Sequence, residues 1–383
     1  MADVCRTIRH RGAFALDTEF VTEHTYHPEL ALVQIALPDE IFLIDPLAVP
    51  DLGEVWDLVA DPSIVSIMHG AEQEARFCWQ ETGRMPGALF DVQLAVAFTG
   101  ARFPLNYASL VQTVLGVGTR QNQTRTDWIR RPLAAAQLGY AVEDVDHLFP
   151  VHERLMDQLH ELDRVSWLEE ENAERLASVE HDLNHPRWWR VSGTQGLSRR
   201  SLAAVRELFF WREDVASRRD MPRRRVLRDD LIVSAASALP ATEDALRRLR
   251  GFEKRQSREV EEVLDRVRRA IDMPESELPE SRRPRGQQSL ARMLSLLMEA
   301  VLEETCVDQQ VDASLVGTAS DLRELVRWHL AGREDASLPA LKRGWRAAVC
   351  GDILEAVLAG EVHVSVADPA ARRPLAIERV DQA

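Results

Sequence analysis

From Asn106 onward the sequence carries only the apolar period of helices, whereas the residues before it alternate strand-like and helix-like runs. That change of period confines the chain to an α/β layer domain followed by helical units. AFALDTEF, ELALVQIAL and EIFLID, separated by Pro28, Pro38 and Asp39, read as three consecutive strands. A helical stretch near Leu52–Ala60, a strand SIVSIMH, a helix AEQEARFCWQETG stopped by Gly83 and a short apolar run ALFDVQLAVAF complete the layer. Pro186, Gly193 and Gly196 break the periodicity and mark a boundary, and MPESELPESRRPRGQQ reads as a second linker. Between the linkers lies a helical unit reaching about Ile271. Ser289–Glu361 form another of similar length, so the two could be divergent copies. No strand is expected beyond Asn106, and the last twenty residues are expected to fray.

At 383 residues the chain exceeds one ordinary core, and two or three domains are expected. Cys5, Cys78, Cys306 and Cys350 lie far apart without a CxxC spacing, which indicates neither a zinc site nor a disulfide framework and fits a cytoplasmic protein. No window approaches a membrane span or a signal core. The net charge of −15 argues at first against nucleic acid. The charge is segregated, however: thirteen Lys or Arg face thirty Asp or Glu up to Asp182, while Arg187–Asp230 hold twelve Arg against six acids. An acidic half beside a basic neighbour suits a metal-dependent nuclease, although solvated surface charge gives the same pattern.

Asp17 and Glu19 alternate along the strand ALDTEF, so both carboxylates leave one face. Apolar flanks make this strand central. Two anions so placed repel unless a cation lies between them, and carboxylate oxygens suit hard divalent ions such as Mg²⁺ or Mn²⁺. A pair of such ions can act on a phosphodiester, which needs about four acids. Glu74, on the helix after SIVSIMH, and Asp144, on the helix GYAVEDV, are the further candidates. Tyr140 lies four residues before Asp144 on the same helix face, where a phenol can orient a water or simply pack on the apolar stripe.

These motifs resemble the DEDD exonuclease superfamily, tyrosine subgroup, and within it ribonuclease D. DTEF at Asp17–Phe20, HGAEQEARF at His69–Phe77 and the Tyr140–Asp144 pair carry the resemblance, with LFDVQLAVAF, TRTDWIRRPL and Gly344–Arg346 in support. The resemblance implies an RNase H-like (DnaQ-like) α/β 3′-5′ exonuclease domain over residues 1–183. Asp17 would bridge two metal ions, Glu19 and Asp144 would hold the ion nearer the nucleophile, Glu74 would be the fourth ligand, and Tyr140 would orient the water. Three departures stand out. Glu74 replaces the family's Asp, moving the carboxylate by about 1.5 Å, enough to slow the reaction or favour Mn²⁺. Gln121 stands where a Lys is usual, and the chain starts close before the first motif without the strand and helix expected there.

Residues 197–273 resemble an HRDC domain, and 286–361 a second, divergent one. Arg223, Arg224 and Arg225 follow Pro222 and could present guanidiniums to RNA phosphates, or only to solvent. Most of Trp188, Trp189, Trp211, Trp328 and Trp345 read as core anchors rather than base-stacking platforms. The resemblance implies a monomeric exoribonuclease that releases nucleoside 5′-monophosphates and trims structured RNAs, tRNA precursors above all. The motif residues leave open a DNA-directed exonuclease, or an RNA-binding protein whose metal site Glu74 has weakened.

Overall fold

The computed structural model of the chain describes residues 1–49, 51–119, 126–280, 285–333 and 338–380, and Gln121 lies outside them. The order begins with α1 (Ala2–Arg11), β1 (Ala13–Val21), β2 (Glu29–Ala36), β3 (Ile41–Ile44), α2 (Gly53–Val59), β4 (Val65–Met68), α3 (Glu72–Thr82), β5 (Ala88–Asp91) and α4 (Val92–Ala97). Helices α5 (Tyr107–Leu115), α6 (Ala135–Asp146), α7 (Leu148–Glu161) and α8 (Val165–Asn184) follow. A strand and a helix are expected to be lacking before the first motif, and the structure places a helix, α1, there.

The five strands form one sheet in the order β3-β2-β1-β4-β5. β2 and β3 pair antiparallel, with Val33 opposite Ile44. β1 runs parallel to β4, with Ala15 opposite Ile67, and β4 parallel to β5, with Met68 opposite Asp91. Phe14, Ala15 and Leu16 are all fully buried, so β1 is covered on both faces as a central strand must be. The acids that follow them therefore begin where a buried strand emerges from the core.

The helical half comprises α9 (Arg199–Arg218), α10 (Arg223–Val226), α11 (Asp229–Ala238), α12 (Glu243–Arg247) and α13 (Ser257–Asp272). Then come α14 (Arg285–Gln309), α15 (Ala313–Val316), α16 (Ala319–Leu330), α17 (Gly344–Arg346) and α18 (Asp352–Ala359). The first run packs through stripes such as Val260, Val263, Leu264 and Val267 of α13, spaced one helix turn apart.

The two runs repeat one local geometry at a constant spacing. After the long helix, Asp220 and Gln310 both take positive φ, 42° and 49°. Met221 N–H then returns to the Ala216 carbonyl at 3.0 Å, and Val311 N–H to that of Cys306 at 3.1 Å. A four-residue helix follows in each, closed by Leu227 to Arg223 and Gly317 to Ala313, both at 3.0 Å.

Contact density divides the chain into two compact units, one of residues 1–19, 32–181 and 285–383, the other of 20–31 and 182–284. The C-terminal helices thus share a core with the sheet domain, and the reason is local. Gly344, at φ +48, lies where any Cβ would run into the Glu170 carboxylate. Trp345 is 2 % exposed, stacks on Trp167 at 5.9 Å, meets Phe98 edge-on at 4.8 Å and donates its indole N–H to Glu171 at 3.2 Å. Arg346 pairs with Glu171 at 2.7 Å and Glu174 at 2.9 Å. From the other side Arg164 donates to the carbonyls of Phe98, Gln309 and Gln310.

Among the described residues the tail forms a hairpin, which corrects the expectations of fraying and of no strand beyond Asn106. β6 (Val362–Val366) and β7 (Leu375–Arg379) pair antiparallel, and Arg373 bonds Glu304 at 3.0 Å. The alternation of Val362, Val364 and Val366 is a strand signal, obscured by its brevity and position.

Candidate metal centre and its surroundings

Asp17 and Glu19 on β1 and Asp144 on α6 bring carboxylate oxygens within 4.8 Å of one another. The sheet supplies the first two and the helix the third, from segments more than a hundred residues apart in sequence. Asp144 Oδ2 is buried without a hydrogen-bond donor. A buried, unsatisfied anionic oxygen among two more carboxylates is costly unless a cation completes it, so the donor set fits a hard divalent ion.

Glu74 is not part of that trio. It sits in the first turn of α3, 6 % exposed, and its Oε1 accepts the Thr18 hydroxyl at 2.6 Å. The turn that delivers it is built by Asp91, whose carboxylate accepts the N–H groups of Gly70, Ala71 and Gln93 at 3.0, 3.1 and 2.9 Å. Gly70 has φ +72, which a side chain would resist. His69, held neutral by burial, donates Nε2–H to the Leu105 carbonyl at 3.0 Å. Thr18 and Asp91 carry roles the motif reading did not give them. The only signal in sequence was Asp91's place in LFDVQ.

Tyr140 lies one helix turn before Asp144 on the same face of α6, and each shifts the acidity of the other. Its ring lies against Trp128 at 6.1 Å, and Trp128 is 2 % exposed. The described part of the TRTDWIRRPL segment, residues 126–133, braces this helix end. Gln137 accepts from Ala134 N–H at 2.9 Å and donates to the Asp127 carbonyl at 3.1 Å, while Arg131 grips Asp45 at 2.6 and 2.7 Å.

The crowding shows in the acidities. Burial, then the charges of Glu74, Asp144 and Glu19, pushes Asp17 well above the ordinary carboxylate range. Burial and the charges of Asp144 and Glu74 raise Glu19 to about 8, and burial raises Asp144 to about 7 against the lowering influence of the nearby Tyr140 hydroxyl. Folded values above unfolded ones mean that these groups stabilise the metal-free fold at low pH, and that this contribution is lost as pH rises through about 7 and 8. In EDTA, Tm should therefore fall from pH 6 to pH 9, and a Glu19→Gln/Asp144→Asn double variant should flatten that fall. An unchanged slope in the double variant would show that the cluster is not its source.

The three arginines do not act alike. All three are exposed, but Arg223 is paired with Glu213 at 2.5 Å and lies over the Tyr26 ring at 4.9 Å. A surface groove beside them is lined by Arg225, Lys254 and Arg255 together with Glu253 and Glu259, and a neighbouring one by Arg228 and Arg250 together with Asp230 and Glu253. Arg250 and Lys254 were missed from sequence because they lie in a turn distant from the arginine run. Trp211, Trp328 and Trp345 are buried and Trp189 is exposed. No described helix is long and apolar enough to cross a membrane.

Residues 1–160 match the 3′-5′ exonuclease family, and residues 201–265 match the HRDC domain. The chain is 32 % identical to ribonuclease D of Nitrobacter hamburgensis over 371 residues, covering 96 % of this chain and 95 % of that one. It is 31 % identical to ribonuclease D of Gluconacetobacter diazotrophicus, covering 96 % and 92 %. Its fold superposes on the crystal structure of Escherichia coli RNase D, described as an exoribonuclease involved in structured RNA processing, with TM-score 0.81 and 27 % identity over 94 % and 96 % of the chains. With an exonuclease domain carrying the acidic trio, an HRDC domain following it in sequence and this likeness along nearly its whole length, the chain belongs to the ribonuclease D family.

Proposed function

We propose that this chain is a metal-dependent 3′-5′ exoribonuclease whose reaction takes place at Asp17, Glu19 and Asp144, with Glu74 as the fourth acid. The observation that carries this reading is the convergence of the trio around the unsatisfied Asp144 oxygen. Two Mg²⁺ or Mn²⁺ ions bound there would supply Lewis-acid stabilisation of charge developing on the phosphodiester. The protein's own groups do the rest. The carboxylates hold fixed negative charge in a half-buried setting, so the site accepts a phosphate only when its charge is neutralised. Tyr140, braced by Trp128 and one helix turn from Asp144, has a hydroxyl placed to orient the attacking water. Arg224 and Arg225, with Arg250 and Lys254 of the adjoining grooves, offer phosphate contacts that fix RNA without reading its sequence. The repeated turn geometry supports reading 286–361 as a second, divergent HRDC-like copy beside the first at 197–273.

The substrate we favour is the 3′ end of structured RNA, tRNA precursors in particular, acted on by a monomer in the cytoplasm. A 3′-extended tRNA and a DNA strand of matched sequence, each incubated with Mg²⁺, Mn²⁺ or EDTA, test this. We expect the tRNA to lose its 3′ extension as nucleoside 5′-monophosphates with either metal and the DNA to stay intact. Shortening of the DNA alone would assign a DNA-directed enzyme, and tRNA bound but uncut under both metals would assign an idle RNA-binding protein.

A further inference from the structure

Glu74 carries one methylene more than the Asp that the resemblance implies at its place, and it stands on a fixed base. Asp91 holds the turn before α3 through the N–H groups of Gly70 and Ala71, so the helix resists retreating to absorb an added methylene. The side chain itself must absorb it, and the structure shows how. Thr18 stands between Asp17 and Glu19 on β1, and its side chain leaves the strand in the opposite phase. Its hydroxyl donates to Glu74 Oε1 at 2.6 Å, with both residues 6 % exposed. Thr is stiff about its first side-chain torsion, so this donor is held in place rather than found by chance. One carboxylate oxygen is thereby fixed, and the other remains to be offered to an ion. An Asp at this position would stop about 1.5 Å short, beyond hydrogen-bonding distance of Thr18.

We propose that Thr18 is a positioning residue for the metal centre, pinning one oxygen of Glu74 so that its longer side chain can serve as a ligand. The proposal rests on the metal-centre reading above. It makes Thr18 and Glu74 a coupled pair: the hydroxyl matters because the acid is Glu, and ceases to matter if the acid is Asp.

Mn²⁺ binding to the full-length protein at pH 8, followed by calorimetry and electron paramagnetic resonance, tests the coupling without reference to turnover. Thr18→Val should lose about tenfold or more in affinity for one ion, the usual cost of removing a group that orients a ligand. Thr18→Ser should bind as the parent does, and Thr18→Ala repeats the Val measurement should the added methyl disturb folding, which Tm in EDTA reports. In a Glu74→Asp background Thr18→Val should change nothing. Affinity that is unchanged or tighter in Thr18→Val, or an equal loss in the Glu74→Asp background, would overturn the proposal. A parent protein that binds no Mn²⁺ would instead overturn the metal-centre reading itself.

Discussion

Asp17→Asn is expected to slow release of mononucleotides from RNA by about a thousandfold or more, because metal stabilisation of the reacting phosphate is worth several kcal/mol and each ~1.4 kcal/mol is a factor of ten. The substitution keeps the side chain's shape and removes its charge. Asp17 is also pushed well above the ordinary carboxylate range by burial and by three neighbouring acids. The variant should therefore fold, and in EDTA at pH 9 it should melt above the parent, since it relieves repulsion the parent cannot. Loss of turnover with a gain in metal-free stability separates a ligand from a structural residue. A variant that keeps activity within about tenfold, or melts well below the parent in EDTA, would remove Asp17 from the centre of the account.

Trp345→Ala is expected to destabilise the unit that joins the sheet domain to the C-terminal helices by about 3–5 kcal/mol, the range for truncating a large buried aromatic. The indole is 2 % exposed between Phe98 and Trp167 and satisfies Glu171, itself 1 % exposed. Truncation thus opens a cavity and strips one donor from a buried carboxylate. Urea unfolding followed by tryptophan fluorescence should show the first transition moved to lower urea. Gly344→Ala should act in the same direction, through the clash with Glu170 and the positive φ. Unchanged transitions in both variants would mean that this contact does not hold the C-terminal helices.

Much of the site was legible because local periodicity carries it. The alternation of Asp17 and Glu19 put two acids on one strand face, and the spacing of Tyr140 and Asp144 put phenol and acid on one helix face. Glu74 was legible as a departure, yet its partner was not. Thr18 leaves the strand in the opposite phase from the acids, and only the packing of α3 against the sheet brings it to Glu74. Asp91 was visible as part of a motif, but its work is done on backbone N–H groups, which no residue pattern displays. The arginine run showed its charge and hid its division of labour: Arg223 is held by Glu213 through a contact ten residues away in sequence. For the fold, the strand and helix periods marked the sheet domain and the helical units. The sharing of one core by residues 285–383 and the sheet domain depends on Gly344, Trp345 and Arg346 meeting Glu170, Glu171 and Glu174, a long-range match invisible to local period.

The most direct test of the central claim follows RNA labelled at its 5′ end, incubated with the protein and Mg²⁺, alongside EDTA and Asp17→Asn controls. The account predicts a descending ladder of 5′-labelled products that shorten one nucleotide at a time and vanish in both controls. Labelled mononucleotide released at once, internal cleavage products, or a ladder that persists in EDTA or in Asp17→Asn would contradict it.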